Sequence, residues 1–162
     1  MYRLKPTDNM TNSEVYDYIR ELISQQLSEE TDPIANMSNI SAILMNTLKD
    51  LNWVGFYLIK ENVLVLGPFQ GLPACNRIKV GEGVCGSSVS EKKSFLVEDV
   101  DNFPGHIACD SASKSELVIP IILNDTVVGV LDLDSPIKDR FTPEDRDNLE
   151  EIMSQIGKYL IG

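Results

Sequence analysis

The sequence predicts an α+β fold: an antiparallel sheet with helices from both ends of the chain on one face and a loop-covered pocket on the other. Paired apolar segments joined by short polar turns predict antiparallel hairpins. Capped amphipathic helices at both ends supply the layer that covers one sheet face. A Gly- and Pro-rich excursion and a long polar loop remain to cover the other face.

The elements follow in order. "TNSEVYDYIRELISQQL" opens with a capping box from Thr11 to Glu14, and Val15, Tyr18, Ile19, Leu22 and Leu27 recur near helical spacing. A second helix starts at Asp32 with Pro33 in its first turn, and Met37, Ile40, Ile43, Leu44 and Leu48 form its buried stripe. Residues 52–60 read as a strand, Glu61-Asn62 as a turn, and "VLVLGPF" as the returning partner. From Gly67 to Gly86 only "RIKV" is strand-like, and "GVCGSSVSEKK" predicts a short helix with Cys85 near its first turn. "SFLVEDV" is another strand, and residues 100–115 form a long loop. "ELVIPIIL", the turn Asn124-Asp125 and "TVVGVLDLDS" make a second hairpin. The last helix begins at Thr142 with Pro143 following and Asp145 completing a capping box; Leu149, Ile152, Met153, Ile156 and Leu160 form its apolar face.

With no repeats or linkers, residues 1–162 are expected to form one domain: a helical part over 11–50, sheet and pocket over 51–135, and a final helix over 142–161. Fourteen basic and 25 acidic side chains leave a net charge of −11, which argues against nucleic acid and anionic membrane surfaces as partners. No apolar run approaches the roughly 20 residues of a membrane helix, and the N-terminus lacks a secretion signal pattern. A cytoplasmic location follows as the expectation.

Three cysteines cannot all pair within one chain, and a reducing compartment favours free thiols. Buried, inert thiols are the commoner fate of isolated cysteines. Here Cys75, Cys85 and Cys109 instead stand among Gly, Pro, Asn, Asp and Ser, which mark loops and element ends. Cys109 shares the stretch "HIACDSASKSELVIP" with Glu116. Asp132 and Asp134 lie two apart on the neighbouring strand, so both point to one face. A metal site is poorly supported: there is one histidine, no CxxC and no HExxH. Hydrolytic triads have only His106 to draw on. A thiol among carboxylates suits a substrate that carries a positive charge and an oxygen to be protonated. Sulfoxide reduction fits: thiolate attacks sulfur, a carboxylic acid protonates the departing oxygen, and a second thiol converts the sulfenic acid to a disulfide.

The motifs "WVGFY", "LGPFQGLPAC", "GEGVCG", "FPGHIACDSASKSELVIPI" and "GVLDLDSP" together resemble the free methionine-R-sulfoxide reductases, which are single GAF domains. The resemblance implies a GAF fold, action on the free amino acid with R stereochemistry, no bound cofactor or metal, and thioredoxin with NADPH as external reductant. It implies Cys109 as nucleophile, with Cys85 and Cys75 as resolving or relay thiols in an order left open. It implies Glu116, Asp132 and Asp134 as the carboxylates that hold the substrate ammonium and assist protonation, and Trp53 and Tyr57 as the aromatic wall. On chemical grounds Cys85 is a rival nucleophile, because glycines and a helix start can lower a thiol pKa. A GAF ligand or redox sensor without turnover is the alternative, and such sensors are usually modules of longer chains. A homodimer is a further expectation.

Overall fold

The computed structural model describes residues 3–107, 109 and 111–161. Four α-helices surround a six-stranded antiparallel sheet: α1 Asn12–Glu29, α2 Pro33–Thr47, β1 Trp53–Lys60, β2 Val63–Gln70, β3 Arg77–Lys79, α3 Gly83–Glu91, β4 Phe95–Val97, β5 Ser115–Leu123, β6 Thr126–Ser135 and α4 Pro143–Ile156. The strand order is β3-β2-β1-β6-β5-β4, so β1 and β6 lie at the centre.

Local sequence explains the element ends. Thr11 and Thr142 form reciprocal capping boxes with Glu14 and Asp145, and Asp32 accepts from Ala35 N with Pro33 at the first helical position. Glu61-Asn62 and Asn124-Asp125 adopt positive φ (51° and 63°, 49° and 62°), the backbone that matches a two-residue hairpin turn to strand twist.

Strand alternation divides the core. Val54 and Phe56 of β1, Leu117, Ile119 and Ile121 of β5, and Leu131 and Leu133 of β6 face α1, α2 and α4. Trp53, Tyr57, Val118 and Val130 face the other way, against Leu64, Ile78, Val84, Cys85, Val97 and Val100. Helix α3 covers this second face. It lies close because Gly86 has no side chain: a Cβ there would collide with the Lys79 carbonyl.

Some expectations shift. The strand read from "SFLVEDV" is only Phe95–Val97, and the long loop opens with a 3-10 turn, Val100–Asn102. Helix α4 stops at Ile156; a 3-10 turn over Gly157–Tyr159 then returns fully buried Leu160 to the core. Leu27, read as core, is only partly buried. Tyr16, outside the expected stripe, is completely buried and donates to Asp145 Oδ1 at 2.6 Å. Arg140 Nη1 also donates to that carboxylate, at 3.3 Å, so the residue that caps α4 also ties it to α1.

Candidate active site

The site stands on the three strands β1, β6 and β5. Register places Glu116 opposite Asp134 and Val118 opposite Asp132. Trp53 and Gly55 of β1 lie opposite Asp134 and Asp132 from the other side. Because alternate residues share a face, Glu116, Asp132, Asp134, Trp53 and Tyr57 all line one cavity beneath α3 and the loop that follows β4. Glu116 and Asp132 are each only 6% exposed, and Asp134 is half-buried.

Two aromatic rings form the wall. Trp53 and Tyr57 stack with centroids 5.9 Å apart, and Trp53 stacks on Phe69 at 5.2 Å. Their polar atoms anchor the Gly- and Pro-rich excursion: Trp53 Nε1 donates to the Leu72 carbonyl at 3.2 Å, and Tyr57 Oη donates to the Cys75 carbonyl at 2.9 Å. Tyr57 therefore helps to fix a cysteine as well as forming the wall.

Cys75 and Cys109 are joined by a disulfide with Cα atoms 5.4 Å apart, and Cys109 lines the cavity. Cys85 remains a free thiol, buried at the third residue of α3 on the cavity floor. His106, Ile107, Cys109 and Ser113 line the loop side. Ser113 Oγ accepts from Asn52 Nδ2 at 3.2 Å, which ties the loop's end to the residue before β1. The cavity measures about 40 Å³.

Proton placement follows from burial. Glu116 is pushed up from 4.5 to about 8, chiefly because its charged form is desolvated and then because Asp134 is near. Burial and the charge of Glu116 raise Asp132 well above the usual carboxylate range. Cys85 Sγ and one oxygen each of Asp132 and Glu116 lie within 4.8 Å of one another, so the protonation of each depends on the others. Burial, Asp132 and Glu116 all push the Cys85 thiol up. This reverses the argument that a helix start activates Cys85: the partial charge of the first turn is outweighed by desolvation and two carboxylates.

His106 is the one histidine on which a hydrolytic triad could draw. The structure puts its Nε2 3.4 Å from Glu116 Oε2. Burial lowers its pKa, so at neutral pH a neutral imidazole meets a protonated carboxyl rather than forming an ion pair. Ala74, Ile78 and Val84 also line the cavity without having been singled out; small and aliphatic residues carry no chemical signal in a sequence. Among the described residues, one group of three side chains has metal-ligand geometry: Cys85, Glu116 and Asp132, with donor atoms within 4.8 Å of one another. Asp132 Oδ1 is buried and has no hydrogen-bond partner among the described residues.

The six-stranded antiparallel sheet, with helices on one face and an acidic cavity on the other, has the fold of the GAF domains. The chain belongs to that family, whose pattern, described as GAF domain, matches residues 35–160. Within it the chain groups with free methionine-R-sulfoxide reductases. It is 45% identical over 151 residues to the Escherichia coli free methionine-R-sulfoxide reductase, covering 93% of this chain and 92% of that protein. The Saccharomyces cerevisiae enzyme of the same name is 40% identical, with 96% and 91% covered. Among solved structures, the Staphylococcus aureus fRMsr complex with substrate superposes with a TM-score of 0.85 at 46% identity, covering 99% of this chain and all of the other.

Proposed function

We propose that this protein reduces free methionine-R-sulfoxide to methionine, with Cys109 as nucleophile and Cys75 as resolving thiol. The observation that carries this reading is the Cys75–Cys109 disulfide beside a cavity that Cys109 lines together with the buried Glu116 and Asp132.

Each group has a role consistent with its environment. The Cys109 thiolate attacks the sulfoxide sulfur while Glu116 gives its proton to the sulfoxide oxygen. Methionine departs, Cys109 is left as a sulfenic acid and Glu116 as a carboxylate. Cys75 then attacks the sulfenic sulfur, water leaves, and the disulfide forms. The Cα separation of 5.4 Å places these two thiols within bonding reach. An external dithiol of the thioredoxin class completes the cycle, which requires the reducing conditions of a cytoplasm.

Specificity for the free amino acid rests on the carboxylates. An ammonium among Asp132, Asp134 and Glu116 satisfies acceptors that are costly to leave buried alone, and a peptide-linked residue has no ammonium to offer. Trp53 and Tyr57 give the methyl-sulfur end an apolar, polarisable wall. Cys85 Sγ lies within 4.8 Å of a carboxylate oxygen of Asp132. Its buried, raised thiol makes it a poor attacking group.

The test is NADPH consumption coupled through thioredoxin with free methionine sulfoxide. Sustained turnover on the R epimer supports the reading. A sensor using the same cysteines would show at most one oxidation event.

A further inference from the structure

The donor set on the cavity floor exceeds what an amino acid's ammonium needs. An ammonium is held by oxygen acceptors, and Asp132 and Glu116 supply them. Sulfur is a weak acceptor, yet Cys85 Sγ lies within 4.8 Å of an oxygen from each carboxylate. One sulfur and two oxygens at mutual ligand spacing form the donor set of a borderline divalent cation. His106 Nε2, 3.4 Å from Glu116 Oε2, offers a nitrogen beside them.

The surroundings also fit a cation. Cys85, Glu116 and Asp132 are 4%, 6% and 6% exposed, so an ion there is shielded from bulk water. Asp132 Oδ1 is buried without a hydrogen-bond partner among the described residues, and Asp132 lines the cavity. The cavity, about 40 Å³, is large enough for a single ion, since one water needs about 10–15 Å³ by a comparable measure. The donors come from α3, β5 and β6, rigid elements that hold ligand spacing better than loops do.

We propose that Cys85, Glu116 and Asp132 form a binding site for a thiophilic divalent cation of the Zn²⁺ class, with His106 as fourth donor. Cys85, Glu116 and Asp132 lose their protons to solvent on coordination, and no redox step is involved. The ion occupies carboxylates that the substrate also uses, so it acts as a reversible inhibitor and not as a cofactor.

The test uses intact protein with the Cys75–Cys109 disulfide formed, which leaves Cys85 as the sole thiol. Co²⁺ serves as the spectroscopic probe under anaerobic conditions. The expected result is a saturable near-ultraviolet thiolate-to-cobalt charge-transfer band that added Zn²⁺ removes. The band is absent in Cys85→Ser, and the apparent affinity falls about tenfold or more in Asp132→Asn or Glu116→Gln. Circular dichroism on each variant verifies that the fold survives, and the two carboxylate variants test the site independently of the thiol. Absence of the band in wild type would overturn the proposal. So would its persistence in Cys85→Ser, or an affinity unchanged in both carboxylate variants.

Discussion

Replacing Glu116 by Gln should make the protein more stable at alkaline pH and less sensitive to pH. The folded pocket holds this carboxyl's affinity for its proton at about 8, against 4.5 for an ordinary glutamate. Below pH 4.5 the group is protonated in both folded and unfolded chains and costs nothing. As pH rises from 4.5 towards 8 the unfolded chain releases the proton and the folded chain does not, so stability is lost across that window and the loss ends above it. At about 1.4 kcal/mol per pKa unit, a shift of this size corresponds to about 5 kcal/mol when complete. Gln keeps the size and a hydrogen-bond donor but has no charge to desolvate. It also removes the neighbour that raises Asp132. Urea denaturation at pH 5 and pH 8.5, with the disulfide intact in both proteins, measures the difference. The midpoints should lie close together at pH 5, and the variant should exceed wild type by roughly 3–5 kcal/mol at pH 8.5 with an unchanged slope. Parallel stability profiles across the range would refute the reasoning, because they would mean that the folded pocket does not hold the Glu116 proton.

Three other outcomes are expected. Cys109→Ser should release no methionine even in a single turnover, whereas Cys75→Ser should release one per chain and stall as a sulfenic acid that a dimedone adduct would reveal by mass. Wild type should reject N-acetyl-methionine sulfoxide, and comparable kcat/KM for the acetylated and free compounds would remove the ammonium-recognition argument. Tyr16→Phe deletes a buried bond to a carboxylate without changing the cavity, so it should cost about 1.5–3 kcal/mol in urea denaturation and leave activity intact.

The fold was legible where local chemistry decides it. Capping boxes at Thr11 and Thr142, Pro33 at a helix start and the polar turns at 61–62 and 124–125 set element ends with little help from tertiary context. What was illegible depends on distant partners. Tyr16 shares the buried face of α1 with Ile19 and Ile23, but that its hydroxyl reaches Asp145, 129 residues away, is written in no local pattern. Leu160 is core only because the chain turns after Ile156. At the site, alternation along β6 was enough to place Asp132 and Asp134 on one face, and the register brings Glu116 opposite Asp134. The pairing of Cys75 with Cys109 depends on how the excursion folds, and Tyr57 and Trp53 fix that fold through carbonyls that no side-chain pattern announces. The approach of His106 to Glu116, ten residues on and across a loop, depends on how that loop folds.

A sheet with two differently used faces reconciles the site with stability. Burying Glu116 and Asp132 with their protons disfavours folding near neutral pH, and removing their solvation is also what makes Glu116 an acid there. The opposite face of the same strands carries Val54, Phe56, Leu117, Ile119, Leu131 and Leu133, all at most 1% exposed, against three helices. Each such side chain contributes roughly 1.5–3 kcal/mol on burial. Because alternation puts the two sets of residues on the same backbone, the apolar face fixes the positions of the acidic one. Shifting β6 by one residue would place Leu131 and Leu133 in the cavity and the aspartates in the core. The strands therefore hold the carboxylates in register through apolar packing on the far side, and the chemistry needs no stabilising contacts of its own.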